Sequence, residues 1–375
     1  MMSLEKLFSQ KSDLLLHLND QCLLYGAGNI GLEMIDVLKK VGVNPIAFLD
    51  SQKSGFAGDL PIYQLDSISD NFKKYPVIIS VFSHPSHCSL QKITERLQSY
   101  GFQRIISFES FFCAYHNYFD KTHYWLGCPD YFRLHKNEII SVGNILADNI
   151  SRELYEKQIL FRLTGDAAFL PASSPVEQQY FDPSVYTKQM FHEFWDLGAY
   201  TGDTLANASN CGKRFQRVIA FEPDMKNYIR LCQYLEGHKK DYDSMMALPL
   251  AVGKDHQTLR FMESAFSNAA VSCEGNSSIP SVALDSAFFG ASPDFIKLDI
   301  EGSEYSALKG MQNILRKNRP LLAVCIYHCP DDFWKIPLFL NDLLEGYSFH
   351  IRCYGEHLFD TVLYAVPESI FPAAK

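Results

Sequence analysis

Several features that would mark particular protein classes are missing from this sequence. No stretch approaches the ~20 consecutive apolar residues that a membrane-spanning helix needs. Met1 to Asp20 is charged and amphipathic, without the apolar core and small-residue cleavage site of a secretory signal, so a cytoplasmic location is expected. No run of Lys and Arg occurs and the net charge is −9, so the clustered cations that grip phosphates are lacking and no nucleic-acid partner is expected. The ten cysteines form no CxxC pair and read as free thiols in a reducing compartment. A zinc set from Cys325, His328 and Cys329 is the alternative, but a strand there would point these groups in different directions. Repeats and low-complexity tracts are also absent.

What is present is ordinary globular composition, 47% hydrophobic and 21% charged over 375 residues. At roughly 100–200 residues per domain that length suggests two domains. In 1–114 a helix over Leu4–Leu18 precedes strands at Gln21–Tyr25, Pro45–Leu49, Pro76–Phe82 and Arg104–Phe108, with helical periodicity between them. This alternation implies a parallel, doubly wound, Rossmann-like α/β sheet. Residues 115–190 are aromatic and irregular, with a helix at Asp148–Leu163, and read as a connector. The third region, 191–375, returns to alternation. Its strands are read at Glu193–Leu197, Arg217–Glu222, Leu248–Val252, Phe295–Asp299 and Leu321–Tyr327, closed by an antiparallel hairpin of Ser348–Cys353 and Thr361–Ala365. Ser303–Leu315 reads as a helix with Tyr305, Leu308, Met311 and Leu315 on one face.

The chemistry concentrates in the third region. DLGAYTGDT, Asp196 to Thr204, follows a strand and opens a helix. Its DxGxxxG spacing differs from the GxGxxG turn that a pyrophosphate requires. Gly198 and Gly202 allow close backbone approach of a ligand, and an acid at Asp196 suits a cationic one such as S-adenosylmethionine. Glu222, in Phe221-Glu222-Pro223-Asp224, ends the next strand about 20 residues on, where a carboxylate can accept both ribose hydroxyls. Tyr200, Asp203, Thr204 and Pro223 flank these two turns and complete the expected cofactor contacts. A later strand delivers Asp299 and Glu301 to the same edge, followed by Gly302, a capping Ser303 and Glu304. Two carboxylates so placed can orient a hydroxyl or hold a divalent ion such as magnesium. His328 ends the strand after that and is a candidate general base.

These residues resemble the FkbM family of methyltransferases. The likeness rests on DLGAYTGDT, AFEPD, VALD, FIKLDIEGSEYSALKG and LAVCIYHCPDDFWKIPLFL, and covers about 191–365. Gln179-Tyr180-Phe181 is similar to the lead-in of longer members. The resemblance implies a class I methyltransferase fold and O-methylation of a sugar, polysaccharide or secondary-metabolite hydroxyl, so the partner is a small-molecule or saccharide acceptor. It carries over Asp196, Gly198, Gly202 and Glu222 as cofactor contacts and Asp299 as a carboxylate of the active edge. A cofactor-binding scaffold without activity, or transfer to nitrogen or carbon, is the alternative.

The first region holds a second glycine turn. Gly26, Gly28 and Gly31 form GxGxxG between a strand and a helix, and Asp50 follows about 20 residues later, as in dinucleotide folds. A nucleotide or nucleotide-sugar is the expected ligand, with NAD a lesser one, because only His84 and His87 offer themselves for hydride-transfer chemistry. A scaffold without ligand is the competing reading.

Overall fold

The computed structural model describes residues 4–8, 18, 20–81, 89–119, 126–262, 270–271 and 277–370. The chain divides into two compact units. One comprises Met1–Lys136, Glu156–Pro171 and Gly355–Phe359, the other Asn137–Tyr155, Ala172–Tyr354 and Asp360–Lys375. Residues 115–190, read as one connector, are thus shared between them, and their helix spans Asn149–Thr164. Among the described residues no helix is long and apolar enough to cross a membrane.

In the first unit, β1 (Gln21–Tyr25), β2 (Asn44–Leu49), β3 (Gly55–Ala57), β4 (Leu60–Tyr63), β5 (Val77–Ile79) and β6 (Ile105–Ile106) form one sheet in the order β3-β4-β2-β1-β5-β6. Every pairing is parallel except β3 with β4. Parallel neighbours need crossovers, and the Asn29–Lys40 and Leu90–Ser99 helices provide two. The second buries Leu90, Ile93 and Leu97, a helical stripe, against Leu23, Ala47, Val77 and Ile79. Glu109 and His357, both buried, meet in this unit with Oε1 and Nδ1 2.5 Å apart. Of the helix read over Leu4–Leu18, Leu4–Leu7 is helical and most of the remainder lies outside the described residues, as do His84 and His87.

The second unit is built on seven strands: β7 (Met190–Leu197), β8 (Arg214–Phe221), β9 (Ser244–Leu248), then, beyond a small separate sheet, β14 (Phe295–Leu298), β15 (Leu321–Cys325), β16 (Tyr347–Cys353) and β17 (Thr361–Pro367). Their order is β16-β17-β15-β14-β7-β8-β9. The small sheet has the order β10-β13-β11-β12, from β10 (Ala251–Val252), β11 (Gln257–Met262), β12 (Ala270–Val271) and β13 (Ser277–Val282). The five strands from β9 to β15 are parallel, and β17 and β16 close the edge antiparallel.

Two readings need correction. The strand read at Leu248–Val252 spans Ser244–Leu248 instead, because Pro249 cannot donate to a ladder and ends the run, and Ala251–Val252 passes to the small sheet. The helix read over Ser303–Leu315 is two, Glu304–Lys309 and Gln312–Asn318. They part beside Gly310, where a Cβ would stand 2.1 Å from the carbonyl oxygen of Gly253.

Beneath the central strands lies an aromatic cluster. Phe194 stacks on Phe215 at 4.4 Å between centroids, and Phe295 lies 4.9 Å from Phe194 and 5.1 Å from Phe191. Phe181 and Tyr186 each reach Phe295 edge-on at 6.0 Å. Such rings contribute burial and pairwise attraction together. Phe295→Ala is therefore expected to lose about 3–5 kcal/mol of unfolding free energy. Urea denaturation should show the midpoint falling with the slope unchanged.

Candidate active site

The carboxyl ends of β8, β7, β14 and β15 lie side by side, and each delivers polar groups to one edge, the edge where open α/β sheets bind ligands. After β7 the chain turns through Gly198, with φ +82°, where a Cβ would lie 1.8 Å from the Asp299 carbonyl oxygen. The amides of Gly198 and Ala199 both donate to Phe221 O at 2.9 Å. Tyr200 takes φ +46°, in the left-handed region. Gly202, at φ +92°, starts the Asp203–Asn210 helix, and a Cβ there would meet the Tyr234 ring at 2.6 Å. Asp203 is exposed at this helix start, whereas Thr204 is buried.

Glu222 follows β8 and clamps two turns at once. Its Oε2 accepts from Tyr200 N at 2.8 Å and its Oε1 from Asp224 N at 2.9 Å. Pro223 stands between them, and Asp224 caps the next helix through the amides of Lys226 and Asn227. An ionised carboxylate offers about four acceptor positions, so Glu222 keeps two. Burial pushes its carboxyl up to about 7.

Asp196, read as a cofactor contact, is fully buried. It lies opposite Lys297 in the β7–β14 register, with Lys297 Nζ 3.1 Å from its Oδ1, and neither carboxylate oxygen accepts a hydrogen bond. Burial raises the Asp196 carboxyl to about 6 against the pull of Lys297. Lys297 donates to Gly198 O at 2.6 Å and sits 5.3 Å over the Tyr180 ring. Burial would lower this ammonium, but Asp196, Asp299 and Asp203 together raise it. The pair thus acts through the turn.

Asp299 follows β14 and remains partly accessible. Its Oδ2 accepts from Tyr180 Oη at 2.7 Å, and its Oδ1 lies 3.4 Å from His328 Nε2. Burial works to raise this carboxyl, but Lys297, His328 and the Tyr180 hydroxyl hold it below the ordinary range. Glu301, at φ +53°, brings Oε2 to 3.5 Å from the same Nε2. Glu304 is fully buried, accepts from Ile300 N at 2.8 Å and Gly302 N at 3.0 Å, and faces His328 Nδ1 at 2.9 Å. The capping expected of Ser303 makes no side-chain hydrogen bond. Desolvation would lower the His328 imidazole, but the three carboxylates raise it to about 10. A ring held protonated is not free to take a proton, which weighs against the general-base role read for His328.

Neither Lys297 nor Tyr180 stood among the expected site residues, Tyr180 being marked only as part of the lead-in segment. A lysine inside the apolar run Phe-Ile-Lys-Leu was the available signal, because lysine is almost never fully buried unless paired. Cys325 and Cys329 do not form the alternative zinc set: Cys325 Sγ faces Tyr180 Oη at 3.7 Å and Cys329 Sγ faces Gly302 O at 3.9 Å. Among the described residues all cysteines are free.

The second glycine turn belongs to the other unit. There Asp50 accepts from the amides of Ala27 at 3.0 Å, Gln52 at 2.9 Å and Lys53 at 3.0 Å, which more than offset burial and lower its carboxyl. Lys53 Nζ takes Ala27 O at 2.7 Å. Three of about four acceptor positions are thus spent on the turn, which leaves one for the ribose contact read from the sequence. Gly31 is needed for packing, since a Cβ would meet Gly26 O at 2.3 Å, whereas one at Gly28 would meet open space.

A family model described as the Methyltransferase FkbM domain matches residues 196–351, and this part of the chain is a methyltransferase domain. Methyltransferase FkbM from Methylobacillus flagellatus KT is 20% identical, aligns over 97% of this chain and 93% of its own, and has a TM-score of 0.72, which shows a shared fold. The precorrin-6y C5,15-methyltransferase of Geobacter metallireducens GS-15 is 14% identical over 49% of this chain and 84% of its own, with a TM-score of 0.31. Fibrillarin of Aeropyrum pernix is 12% identical over 48% of this chain and 67% of its own, with a TM-score of 0.30. None of the curated proteins is significantly similar to the chain.

The two glycine turns make opposite demands on a methyl group. Gly198→Ala should destabilise the protein by about 1–3 kcal/mol from its backbone conformation alone, and by more from the clash with Asp299. Gly28→Ala, in extended backbone, should stay within about 0.5 kcal/mol. Thermal melts of the two variants side by side check the contrast.

Proposed function

We propose that this protein is an S-adenosylmethionine-dependent O-methyltransferase whose acceptor is a hydroxyl of a sugar, a polysaccharide or a secondary metabolite. The observation that carries the reading is Glu222, clamped by two backbone amides beside the Gly198 turn with two acceptor positions left over. That arrangement suits a ribose diol. The cofactor, when bound, supplies a methyl group made electrophilic by its positive sulfur. The residues divide the remaining work. Gly198, Tyr200 and Gly202 present backbone rather than bulk to the ligand. Asp196 acts through Lys297, which holds Gly198 O. Asp299 and Glu301, each about a quarter exposed, offer acceptor oxygens to a substrate hydroxyl, which favours a polyhydroxylated acceptor. As the hydroxyl oxygen gains its methyl group it gives up a proton, which Asp299, held ionised, can receive. His328, protonated, balances the charge of the surrounding carboxylates. Alignment of the two reactants can supply up to ~7–11 kcal/mol of the acceleration.

A pH-dependent affinity follows from Glu222. Its carboxyl, raised to about 7, loses its charge as the pH falls through that value, and with it acceptor capacity for the ribose. S-Adenosylhomocysteine, titrated calorimetrically, should bind about 10-fold more weakly at pH 6 than at pH 8. Glu222→Gln should bind weakly at both, with a flat profile. Equal affinity across that range, or a variant that binds like wild type, would remove Glu222 from the cofactor site. Release of S-adenosylhomocysteine on addition of hydroxylated acceptors then tests the reaction itself.

A further inference from the structure

Tyr180, in the segment Gln179-Tyr180-Phe181, takes φ +66°. That left-handed conformation is uncommon for a bulky residue and persists only where surrounding contacts offset its strain. The contacts are of an unusual kind, because both backbone groups of Tyr180 are held by side chains. Its amide donates to Tyr364 Oη at 2.9 Å, and its carbonyl accepts from Tyr186 Oη at 2.9 Å.

The bonds behind Tyr364 run in one direction. The Asp182 carboxylate can only accept, so Tyr354 gives its single hydroxyl proton to Asp182 Oδ2 at 3.0 Å. Tyr364 must then donate the 2.6 Å bond to Tyr354, which leaves Tyr364 Oη as an acceptor for the Tyr180 amide. The chain starts at Tyr180 N and ends two residues further along the same segment, where Arg352 Nε lies 3.9 Å from Asp182 Oδ2. Tyr180, Tyr354, Tyr364 and Asp182 are all buried, where linked hydrogen bonds polarise and strengthen one another.

The Tyr180 hydroxyl is aimed by the same logic. It accepts from Gln179 Nε2 at 3.0 Å and donates to Asp299 Oδ2 at 2.7 Å. The second distance falls in the range of a charge-assisted O–H···O⁻ bond, about 2.5–2.7 Å. One oxygen of Asp299 is thus tied to a buried group. The other, Oδ1, stands 3.4 Å from His328 Nε2 on a side chain that is 24% exposed. We propose that Tyr180 is the positioning residue of this edge: held in its strained backbone by Tyr364 and Tyr186, it fixes Asp299 by Oδ2 and leaves Oδ1 to the acceptor hydroxyl. The use of Oδ1 rests on the reaction proposed above, but the aiming of the Tyr180 hydroxyl does not.

Tyr180→Phe removes that hydroxyl and little else. The ring keeps Lys297 Nζ at 5.3 Å and Phe181 edge-on at 6.4 Å. Lys297 and His328 remain as the cations around Asp299, and Asp196, Asp203 and Glu301 as the acids. Burial keeps the Cys325 thiol and the Tyr327 hydroxyl protonated.

The test uses the full-length chain with carbon-13 at its aspartate side-chain carboxyls, the Asp299 signal being assigned by its loss in Asp299→Asn. In wild type Asp299 should take up its proton below the ordinary carboxylate range, or not before acid unfolding. In Tyr180→Phe protonation should move to higher pH, because the ionised form has lost a donor. Tyr364→Phe and Tyr186→Phe should move it the same way, since each frees one backbone group of Tyr180. Circular dichroism checks that each variant is folded, and if Tyr180→Phe is not, the other two decide. A packing role alone would lower the melting temperature and leave the titration unmoved. An unmoved titration in the folded variants therefore overturns the proposal, as does a wild-type Asp299 that titrates in the ordinary range. Release of S-adenosylhomocysteine with methyl hexopyranosides as acceptors reads the reaction. In Tyr180→Phe kcat should fall about 100-fold, with KM for S-adenosylmethionine unchanged. A moved titration with unchanged kcat overturns the use of Oδ1 and upholds the aiming of the hydroxyl. No release by wild type counts against the proposed reaction, and the titration still decides Tyr180.

Discussion

The methyltransferase domain is organised around one buried ion pair, Asp196 with Lys297, facing each other across neighbouring strands. Both side chains are almost without solvent. Removing water from two charges costs several kcal/mol per ion, and only good geometry and further hydrogen bonds repay it. Lys297 has both: it reaches Gly198 O and lies over the Tyr180 ring. The pair thereby ties three otherwise separate pieces together: the end of β7, the glycine turn after it, and the segment bearing Tyr180. Tyr180 then passes the constraint on to Asp299. An uncharged strand interior would pack well enough, but it would leave the turn carbonyl and the Tyr180 ring without a common anchor.

The two units solve one problem in the same way and to different ends. Each has a glycine turn after its first parallel strand and an acid at the end of the next one. Asp50 holds Ala27 N as Glu222 holds Tyr200 N. The difference lies in what remains. Asp50 gives its other oxygen to Gln52 and Lys53, and Lys53 closes over the turn. Glu222 gives its other oxygen to Asp224 alone. The same local motif is closed in one unit and left open in the other, so a glycine fingerprint with its distant acid does not by itself distinguish a ligand site from a brace.

Much of the fold could be read from alternation and turns. The strands around the site, the closing hairpin and the places of Gly198, Gly202, Glu222 and Asp299 follow from spacing, because an open sheet brings strand ends to one edge. The charges were harder to read. Asp196 has the right position in the chain but faces inward, a matter of strand register rather than of motif. His328 has the right position as well, but its role depends on Glu304 and Glu301, which reach it only through the positive φ of Glu301 and Gly302. Tyr180 comes from a segment without periodicity, marked only by its likeness to the lead-in of longer family members and not by any sign of its role. Pro249 could have been weighed against the strand read across it, and Gly310 against one continuous helix.

The first unit is discontinuous in the chain: it takes in Gly355–Phe359, a segment between the last two strands of the other unit, and its buried Glu109 meets His357 there. A ribosome delivers these parts far apart in time. The unit formed by the first sheet is therefore complete only once Gly355–Phe359 has been made, and no single cut yields two finished halves.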